Sequence, residues 1–370
     1  MSLSGSIILV LVCCIAATLA PYRRKCSSIV TVVVAVVAII WIAQRNIHVV
    51  PDTENYVQNF NDTIVSSSAF DVQGNYQAFE NGFMALNLIV KRAGMSYRFF
   101  FAVVAALGII IMLKAYMVQT KANLLKKESR DALLYLALYL GYFGIFYGAI
   151  ALRSGVAIPL LFLGSAYLLL NKKVAVVICT ILAFQFHHSI VIVAAVVFIC
   201  DRFFLKNKGK FKMWWYIIVI IWLGRVGLIL NTLMVKVMTM VSQYIPFLSR
   251  YTAIWYTGGV MGDGFLSKKN ILFLLIGFML IVDYPQNANE NYNKTMTIYM
   301  VGLTLTFLLN EFGSGYRLSD MLLIYMIPLV HNTIMNKNSR FKQRDRSIIA
   351  TLIVASQFVI SLRITNIVLP

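Results

Sequence analysis

Apolar residues occupy the chain in long runs, and short polar or basic segments separate these runs from one end to the other. Most runs are about 14 to 20 residues long, close to the length that an α-helix needs to cross a bilayer. The pattern predicts an all-α, polytopic membrane bundle with about ten full spans and one short re-entrant-like helical pair. The runs cover residues 5–20, 28–44, 98–117, 132–150, 154–170, 174–200, 213–231, 270–283, 295–309, 319–335 and 347–367.

The run at 174–200 is compatible with two topologies. A single tilted helix of 27 residues spans a bilayer, whereas a pair of short helices turns back at Gln185–Ser189. Lys and Arg concentrate in cytoplasmic loops, so their positions distinguish the two. With the pair, the downstream cytoplasmic loops carry 11 Lys and Arg and the outer loops carry five, and a single span inverts these totals. The charges favour the short pair, with outer segments at 45–97 and 232–269.

Composition supports a membrane protein and excludes several other classes. Of 370 residues, 60% are hydrophobic and 13% are charged, which argues against a soluble enzyme, a disordered chain or a disulfide scaffold. The net charge of +19 would suggest nucleic acid in a soluble protein, but the positive-inside bias explains it here, and no nucleic acid is expected. We therefore expect a single polytopic domain over residues 1–370 that is embedded in a lipid bilayer.

Two segments of the predicted outer face carry ionisable residues. Arg45 follows the second apolar run, and Asp52 and Tyr56 are spaced i, i+4, so that on a helix they share one face. A solvated loop with a helix cap is the alternative interpretation. Glu80 precedes the short apolar stretch 83–90, which predicts an interfacial helix. Glu80 is then either a general base or an N-terminal charge on that helix.

Arg153 and His187 stand out because apolar helices surround them. An Arg between two apolar runs is costly unless it pairs or faces a polar cavity, and a guanidinium suits phosphate recognition. A topological anchor is the alternative. His187, at the predicted turn, is a candidate proton acceptor or phosphate partner, or a structural histidine. No nearby spacing of Cys, His and Asp supplies further ligands, so no metal site is expected. Arg250, in the outer loop, and Arg317, which opens a helix, are further candidates, whereas Lys268 and Lys269 are interpreted as an interfacial anchor.

In this order the residues resemble the EpsG-like, Wzy-type family of bacterial polysaccharide polymerases. The matching elements are Arg45 with Asp52-Thr-Glu-Asn-Tyr56 and Phe60, then Glu80-Asn-Gly-Phe83, Leu152-Arg153-Ser-Gly-Val-Ala157, Phe186-His187-His-Ser189, and a helix opening with Arg317 and carrying Tyr325. Two positions depart from the family pattern. Pro51 stands where Gly precedes the aspartate, and Ser154 replaces the usual Gln, which puts in doubt any role of that amide.

The resemblance implies a GT-C-like glycosyltransferase of the bacterial inner membrane that uses neither a metal nor another cofactor. Such an enzyme moves a glycan from undecaprenyl diphosphate to a hydroxyl of another lipid-linked repeat unit at the periplasmic face, and works beside a chain-length regulator. Arg153 and Arg317 are implied as the diphosphate clamp, with Arg45 or Arg250 assisting. The implied substrate-binding residues are Arg45, Tyr56, Arg153, Arg250 and Arg317, and the implied catalytic residue is His187, with Glu80 and Asp52 as rival bases.

Three other functions fit the sequence less well. A lipid-linked oligosaccharide flippase or other transporter usually has paired halves related by a repeat, and the sequence contains no such repeat. A membrane acyltransferase would draw acyl-CoA from the cytoplasm, whereas the histidines at 187 and 188 lie on the predicted outer side. A structural membrane subunit leaves the placement of Arg153 unexplained.

Overall fold

The computed structural model describes residues 3–23, 28–63, 65, 79–125, 131–244, 266–311 and 316–365. These residues form helices joined by short connections and contain no β-strand, which confirms the all-α prediction for the described chain. The chain folds into two compact units, one comprising residues 1–195 and 330–370 and the other residues 196–329. The sequence predicts one polytopic domain over residues 1–370 in a bilayer, and this stays a prediction.

The first unit contains twelve helical segments and parts of two more within its described residues. They are α1 (Leu3–Leu19), a 3₁₀ turn (Ala20–Tyr22), α2 (Ser28–Ala43), α3 (Thr53–Asp62), α4 (Asn81–Arg92), α5 (Tyr97–Lys121), α6 (Ala132–Tyr139), a π-helical turn (Leu140–Gly144), α7 (Ile145–Ala149), α8 (Leu152–Leu168), α9 (Lys173–Phe186), the start of α10 (Ile190–Arg202), the end of α16 (Met326–Met335) and α17 (Gln343–Ile364). Helix α8 packs against both α5 and α9, and α4 packs against α9.

Glycine permits the close packing around α8. A Cβ atom at Gly155 would lie 2.6 Å from the carbonyl oxygen of Tyr147, and one at Gly108 would lie 2.7 Å from the carbonyl oxygen of Gly155. Both distances are far below van der Waals contact, so a larger residue at either position would force backbones apart. The packing fixes the first turn of α8, which carries Arg153.

The second unit contains the end of α10, α11 (Lys208–Leu223), α12 (Val226–Ser242), α13 (Lys268–Val282), α14 (Glu290–Leu309), α15 (Tyr316–Leu323) and the start of α16. Helix α14 packs against α11, α12, α13 and α15. Its buried Tyr299 hydroxyl donates to the carbonyl oxygen of Phe273 at 2.6 Å, which satisfies a polar group inside an apolar unit.

Five helical segments of the described chain are long and apolar enough to cross a membrane: Gly5–Tyr22, Tyr97–Lys121, Ala132–Ala149, Arg317–Met335 and Gln343–Ile364. A sixth is possible if α11 and α12, which meet at a bend of 63°, are counted as one span. Helices α2, α8 and α9 are apolar but shorter. The chain is a membrane protein, and the number of spans, predicted as about ten, stays a prediction.

Apolar side chains on the surface of the first unit support this conclusion. Helix α2 exposes Ile29, Val32 and Val33, with Ile29 75% exposed, while Ala38 on the same helix is fully buried. Water would penalise such a surface, whereas lipid tails are as apolar as the side chains themselves.

The segment 174–200 forms two helices. Helix α9 ends at Phe186, α10 begins at Ile190, and His187 between them has an extended backbone, with φ −160° and ψ 109°. At 14 and 13 residues, each helix is shorter than the roughly 20 residues of a full span.

Candidate functional site

Three side chains that are far apart in the sequence meet in the first unit: Glu80, Arg153 and His187, here called the Glu80 cluster. Nη1 of Arg153 donates to Oε2 of Glu80 at 2.7 Å. Nδ1 of His187 lies 3.3 Å from Oε1 of Glu80, and the backbone N–H of His188 donates to the same oxygen at 3.2 Å. Glu80 is only 6% exposed, so its carboxylate is shielded from solvent and held by three donors.

The local structure explains why Glu80 is available to this cluster. Glu80 occupies the N-cap position of α4, but its side chain makes no hydrogen bond to the start of that helix. The carboxylate instead reaches the first turn of α8 and the break between α9 and α10. The sequence left open whether Glu80 is a helix cap or a functional group, and the structure shows that it does not cap α4 through its side chain.

Gly82 allows α4 to approach α9 closely enough for this contact. A Cβ atom at Gly82 would lie 2.8 Å from both the Cβ and the carbonyl oxygen of Gln185. The obstacle is largely backbone and cannot rotate away. Glu80 lies two residues before Gly82, and His187 lies two residues after Gln185. The close contact between Gly82 and Gln185 therefore sets the separation between Glu80 and His187.

Aromatic rings form one side of the cluster. The guanidinium carbon of Arg153 lies 4.8 Å from the centroid of the Phe79 ring. Phe79 stacks on Tyr56 at 5.7 Å, and Tyr56 also contacts Phe83 at 5.6 Å. Tyr56 shares a side-chain hydrogen bond with Arg153, and it is buried. The arginine is thus oriented by a carboxylate, a phenol and a ring face, an arrangement that reduces its conformational freedom.

The contacts of Glu80 keep its carboxylate ionised. Burial raises the pKa of this group, but the hydrogen bonds from His187 and Arg153 and the charge of Arg153 outweigh it and lower the pKa to about 2. A carboxylate with so low a pKa accepts a proton poorly, so this environment suits a group that orients and stabilises a cation rather than a general base.

Arg45 lies between α2 and α3 and is only 3% exposed. Its Nη1 donates to the carbonyl oxygens of Ile42 and Gly148 at 3.3 and 3.2 Å, and its guanidinium carbon lies 3.6 Å from the centroid of the Phe101 ring. Burial lowers the pKa of Arg45 to about 9, partly offset by Tyr56, and the group remains a cation at neutral pH.

Of the other residues that the sequence predicts for the site, some lie in the Glu80 cluster and others do not. Asp52 is exposed, has φ 60° and forms no ion pair with another described residue, whereas Tyr56 is buried in the cluster. Arg317 lies in the first turn of α15, in the second unit, and is exposed. Arg250 lies outside the described residues. The structure thus brings together Tyr56, Glu80, Arg153 and His187.

A second buried ion pair was not anticipated. Nζ of Lys269 lies 3.1 and 3.3 Å from the two carboxylate oxygens of Asp320, and both residues are less than 5% exposed. The sequence suggested an interfacial anchor for Lys268 and Lys269. For Lys269 this interpretation is wrong, because the residue is buried against an acid. Asp320, three residues after Arg317, was the available signal, since an acid among apolar helices requires a partner.

Among the described residues, no three His, Cys, Asp or Glu side chains lie close enough together to hold a metal ion. The absence of a metal from the reaction stays a prediction. The chemistry that the Glu80 cluster itself offers is a histidine oriented by a carboxylate, next to a cation that is fixed by the same carboxylate.

Comparison with known proteins identifies the family of the chain. No curated protein and no solved structure matches it. The family model that does match is described as the EpsG family, and it aligns with residues 28–368, which include every element of the Glu80 cluster. The chain therefore belongs to the EpsG family, whose membrane proteins are associated with polysaccharide polymerase glycosyltransferase activity.

Proposed function

We propose that this chain is a polysaccharide polymerase of the bacterial inner membrane, with about ten spans, a GT-C-like fold and its site at the periplasmic face. It would transfer a glycan from undecaprenyl diphosphate to a sugar hydroxyl of a second lipid-linked repeat unit, beside a chain-length regulator. The observation that carries the proposal is the contact of His187 and Arg153 with one shielded carboxylate, in a chain of the EpsG family.

In the proposed reaction His187 is the general base. If Nδ1 carries a hydrogen and donates it to Glu80, then Nε2 is left as a proton acceptor. The acceptor hydroxyl oxygen attacks the anomeric carbon of the donor as its proton passes to Nε2 of His187. The bond from that carbon to the diphosphate oxygen breaks, and its electron pair leaves with undecaprenyl diphosphate.

Glu80 acts in this scheme as a positioning residue. Its low pKa and its salt bridge to Arg153 make it a weak base, whereas its contact with Nδ1 fixes the tautomer of His187 and favours the imidazolium that forms. Asp52 is a poorer candidate for the base, because it is exposed and takes no part in the cluster. Arginines neutralise the leaving diphosphate, since a guanidinium fork suits its oxygens.

The test is the glycan profile of cells that lack this chain, complemented with wild type or with single variants. Loss of the long-chain ladder, with a single repeat unit still reaching its acceptor, is the result expected for a polymerase. His187→Ala should fail to restore the ladder at normal membrane abundance. His188→Ala is the matched control, because its ring packs on Phe184 and its hydrogen bond to Glu80 comes from a backbone N–H that alanine keeps.

Two outcomes would contradict the proposal. If no repeat unit reaches the outer face in the deletion strain, transport across the membrane is the missing step and a flippase fits better. If His187→Ala and Arg153→Ala both restore a full ladder, the Glu80 cluster is not the site of the reaction, even though the chain is required.

A further inference from the structure

The hydrogen bonds of Arg45 leave one edge of its guanidinium without a protein partner. Nη1 is occupied by the carbonyl oxygens of Ile42 and Gly148, and the Phe101 ring covers one face. Nε and Nη2 are buried and have no acceptor among the described residues. No described acid forms an ion pair with Arg45 either. A buried cation is costly unless it is compensated, so this edge needs an explanation.

The geometry of that edge is informative. In a guanidinium, the N–H of Nε and one N–H of Nη2 point in parallel, and together they form the fork that binds two oxygens of a phosphate or carboxylate. The two carbonyl contacts and the Phe101 ring hold the group in place before any ligand arrives. Arg45 is therefore preorganised to present the bidentate edge, which lowers the entropic cost of binding an anion.

A neighbouring side chain adds a third donor. Trp41 is 6% exposed, and its indole N–H, like the Arg45 edge, is buried without an acceptor in the described chain. The turn continues past the end of α2, because Gln44 N–H donates to Ile40 and Arg45 N–H to Ile42. At a spacing of i, i+4, Trp41 and Arg45 lie on the same side of this turn. Three buried donors with no acceptor are the complement of an anion.

The guanidinium of Arg153, in contrast to that of Arg45, is bound by protein side chains. The guanidinium of Arg153 is committed to Glu80 and Tyr56, and its charge is balanced by the carboxylate. We propose that Arg45 and Trp41 form the primary binding site for a phosphate group, and that Arg153 instead orients Glu80 and His187. The identification of this phosphate as part of the lipid-linked diphosphate rests on the proposed function. Tyr56, which interacts electrostatically with both arginines, connects the two sites.

Binding of inorganic pyrophosphate tests the proposal without requiring polymerisation. The full chain is placed in nanodiscs of zwitterionic lipid and titrated calorimetrically, with a thermal unfolding scan to show that each variant is folded. Arg45→Gln should weaken pyrophosphate binding about tenfold or more, and Trp41→Phe by a smaller factor. Arg45→Lys keeps the charge but not the fork, so it should bind more weakly than wild type and more tightly than Arg45→Gln.

Arg98→Gln is the matched control, because Arg98 belongs to the same unit but is exposed at the start of α5. It should bind pyrophosphate like wild type. An equal loss in Arg98→Gln and Arg45→Gln would reduce the effect to the general positive charge of the protein, and the proposal would fail. Binding that is unchanged in Arg45→Gln and in Arg45→Lys would also overturn it.

A second experiment distinguishes two sources of the bound phosphate, namely the headgroup of a membrane lipid and the diphosphate of the lipid-linked substrate. If nanodiscs containing phosphatidylglycerol abolish the binding of pyrophosphate, the site takes a lipid phosphodiester headgroup, and its assignment to the diphosphate is wrong. Unchanged binding in those nanodiscs supports the diphosphate. Normal pyrophosphate binding by the wild-type chain, together with an unchanged glycan ladder in cells that lack it, would refute the proposed function alone, whereas a normal ladder with Arg45→Gln would refute the anion site alone.

Discussion

Replacing Gly82 by alanine should separate Glu80 from His187 while leaving every ionisable group in place. The new Cβ would lie 2.8 Å from the Cβ and carbonyl oxygen of Gln185 and 3.0 Å from its carbonyl carbon. Carbon atoms pack at about 3.5–4.0 Å, so α4 and α9 would have to move apart by roughly 0.7–1 Å. The distance from Oε1 of Glu80 to Nδ1 of His187 is already 3.3 Å. Such a shift would take it to about 4 Å, beyond hydrogen-bonding range.

The expected result is a large loss of ladder length in complemented cells, of about tenfold or more in polymerisation rate with purified protein, because the base loses its orientation. The salt bridge from Arg153 to Glu80 at 2.7 Å should survive, since a long side chain can follow the carboxylate. Overpacking should also lower the free energy of unfolding by about 1–3 kcal/mol.

Helix propensity predicts that Gly82→Ala raises the free energy of unfolding, whereas overpacking lowers it. A stability measurement therefore distinguishes the two effects. Gly82 is the second residue of α4, where alanine would by propensity alone stabilise the helix by up to about 1 kcal/mol. A more stable and fully active Gly82→Ala protein would therefore show that the close approach of α4 and α9 is not needed. Gly209→Ala is the matched control, because its nearest atom, Oδ1 of Asn207, is 3.6 Å away and a methyl group fits there.

Three further predictions concern charged groups. The hydrogen bonds that lower the pKa of Glu80 to about 2, from 4.5, supply stability that is fully present above pH 4.5 and is lost as the pH falls through 2. The difference in unfolding temperature between wild type and Glu80→Gln should therefore shrink as the pH falls from about 5 towards 2, and a difference that stays constant through this acid range would contradict the assignment. Lys269→Met should destabilise the protein by about 3–5 kcal/mol, because it leaves Asp320 buried without its cation, whereas Lys269→Met with Asp320→Leu should recover most of that loss in thermal unfolding. Equal losses in the single and double variants would argue against coupling of the pair. Lys91 donates to the backbone carbonyls of Phe60, Asn61 and Thr63, so Lys91→Met should cost about 1–3 kcal/mol and speed proteolysis at the end of α3, and an unchanged cleavage rate would show that these bonds do not order it.

Much of the helical arrangement could be predicted from the sequence. The apolar run 98–117 corresponds to α5, and the run 132–150 corresponds to α6, the π-helical turn and α7. The break at 187–189 lies where polar residues interrupt an apolar run. These features depend on local composition and on the cost of exposing backbone groups to lipid, which act within a single segment.

The candidate residues could also be selected from the sequence, because an ionisable group next to an apolar helix is rare and costly. Arg153 and His187 were identified in this way, and the order of their motifs indicated the family that the comparison then showed. The sequence pattern did not identify Glu80 as the partner of Arg153 and His187. Glu80 was equally consistent with a helix cap, and Lys269 was misjudged as an anchor.

Only the tertiary structure assigned these partners. Glu80 lies 73 positions from Arg153 and 107 from His187, and Lys269 lies 51 from Asp320. Apolar periodicity determines that a helix forms and which face is buried, but many rotations and axial shifts of neighbouring helices bury similar apolar area. The choice among them depends on close packing, such as that of Gly82 on Gln185, and on satisfying buried charges, and both are properties of segments that meet only in the folded chain.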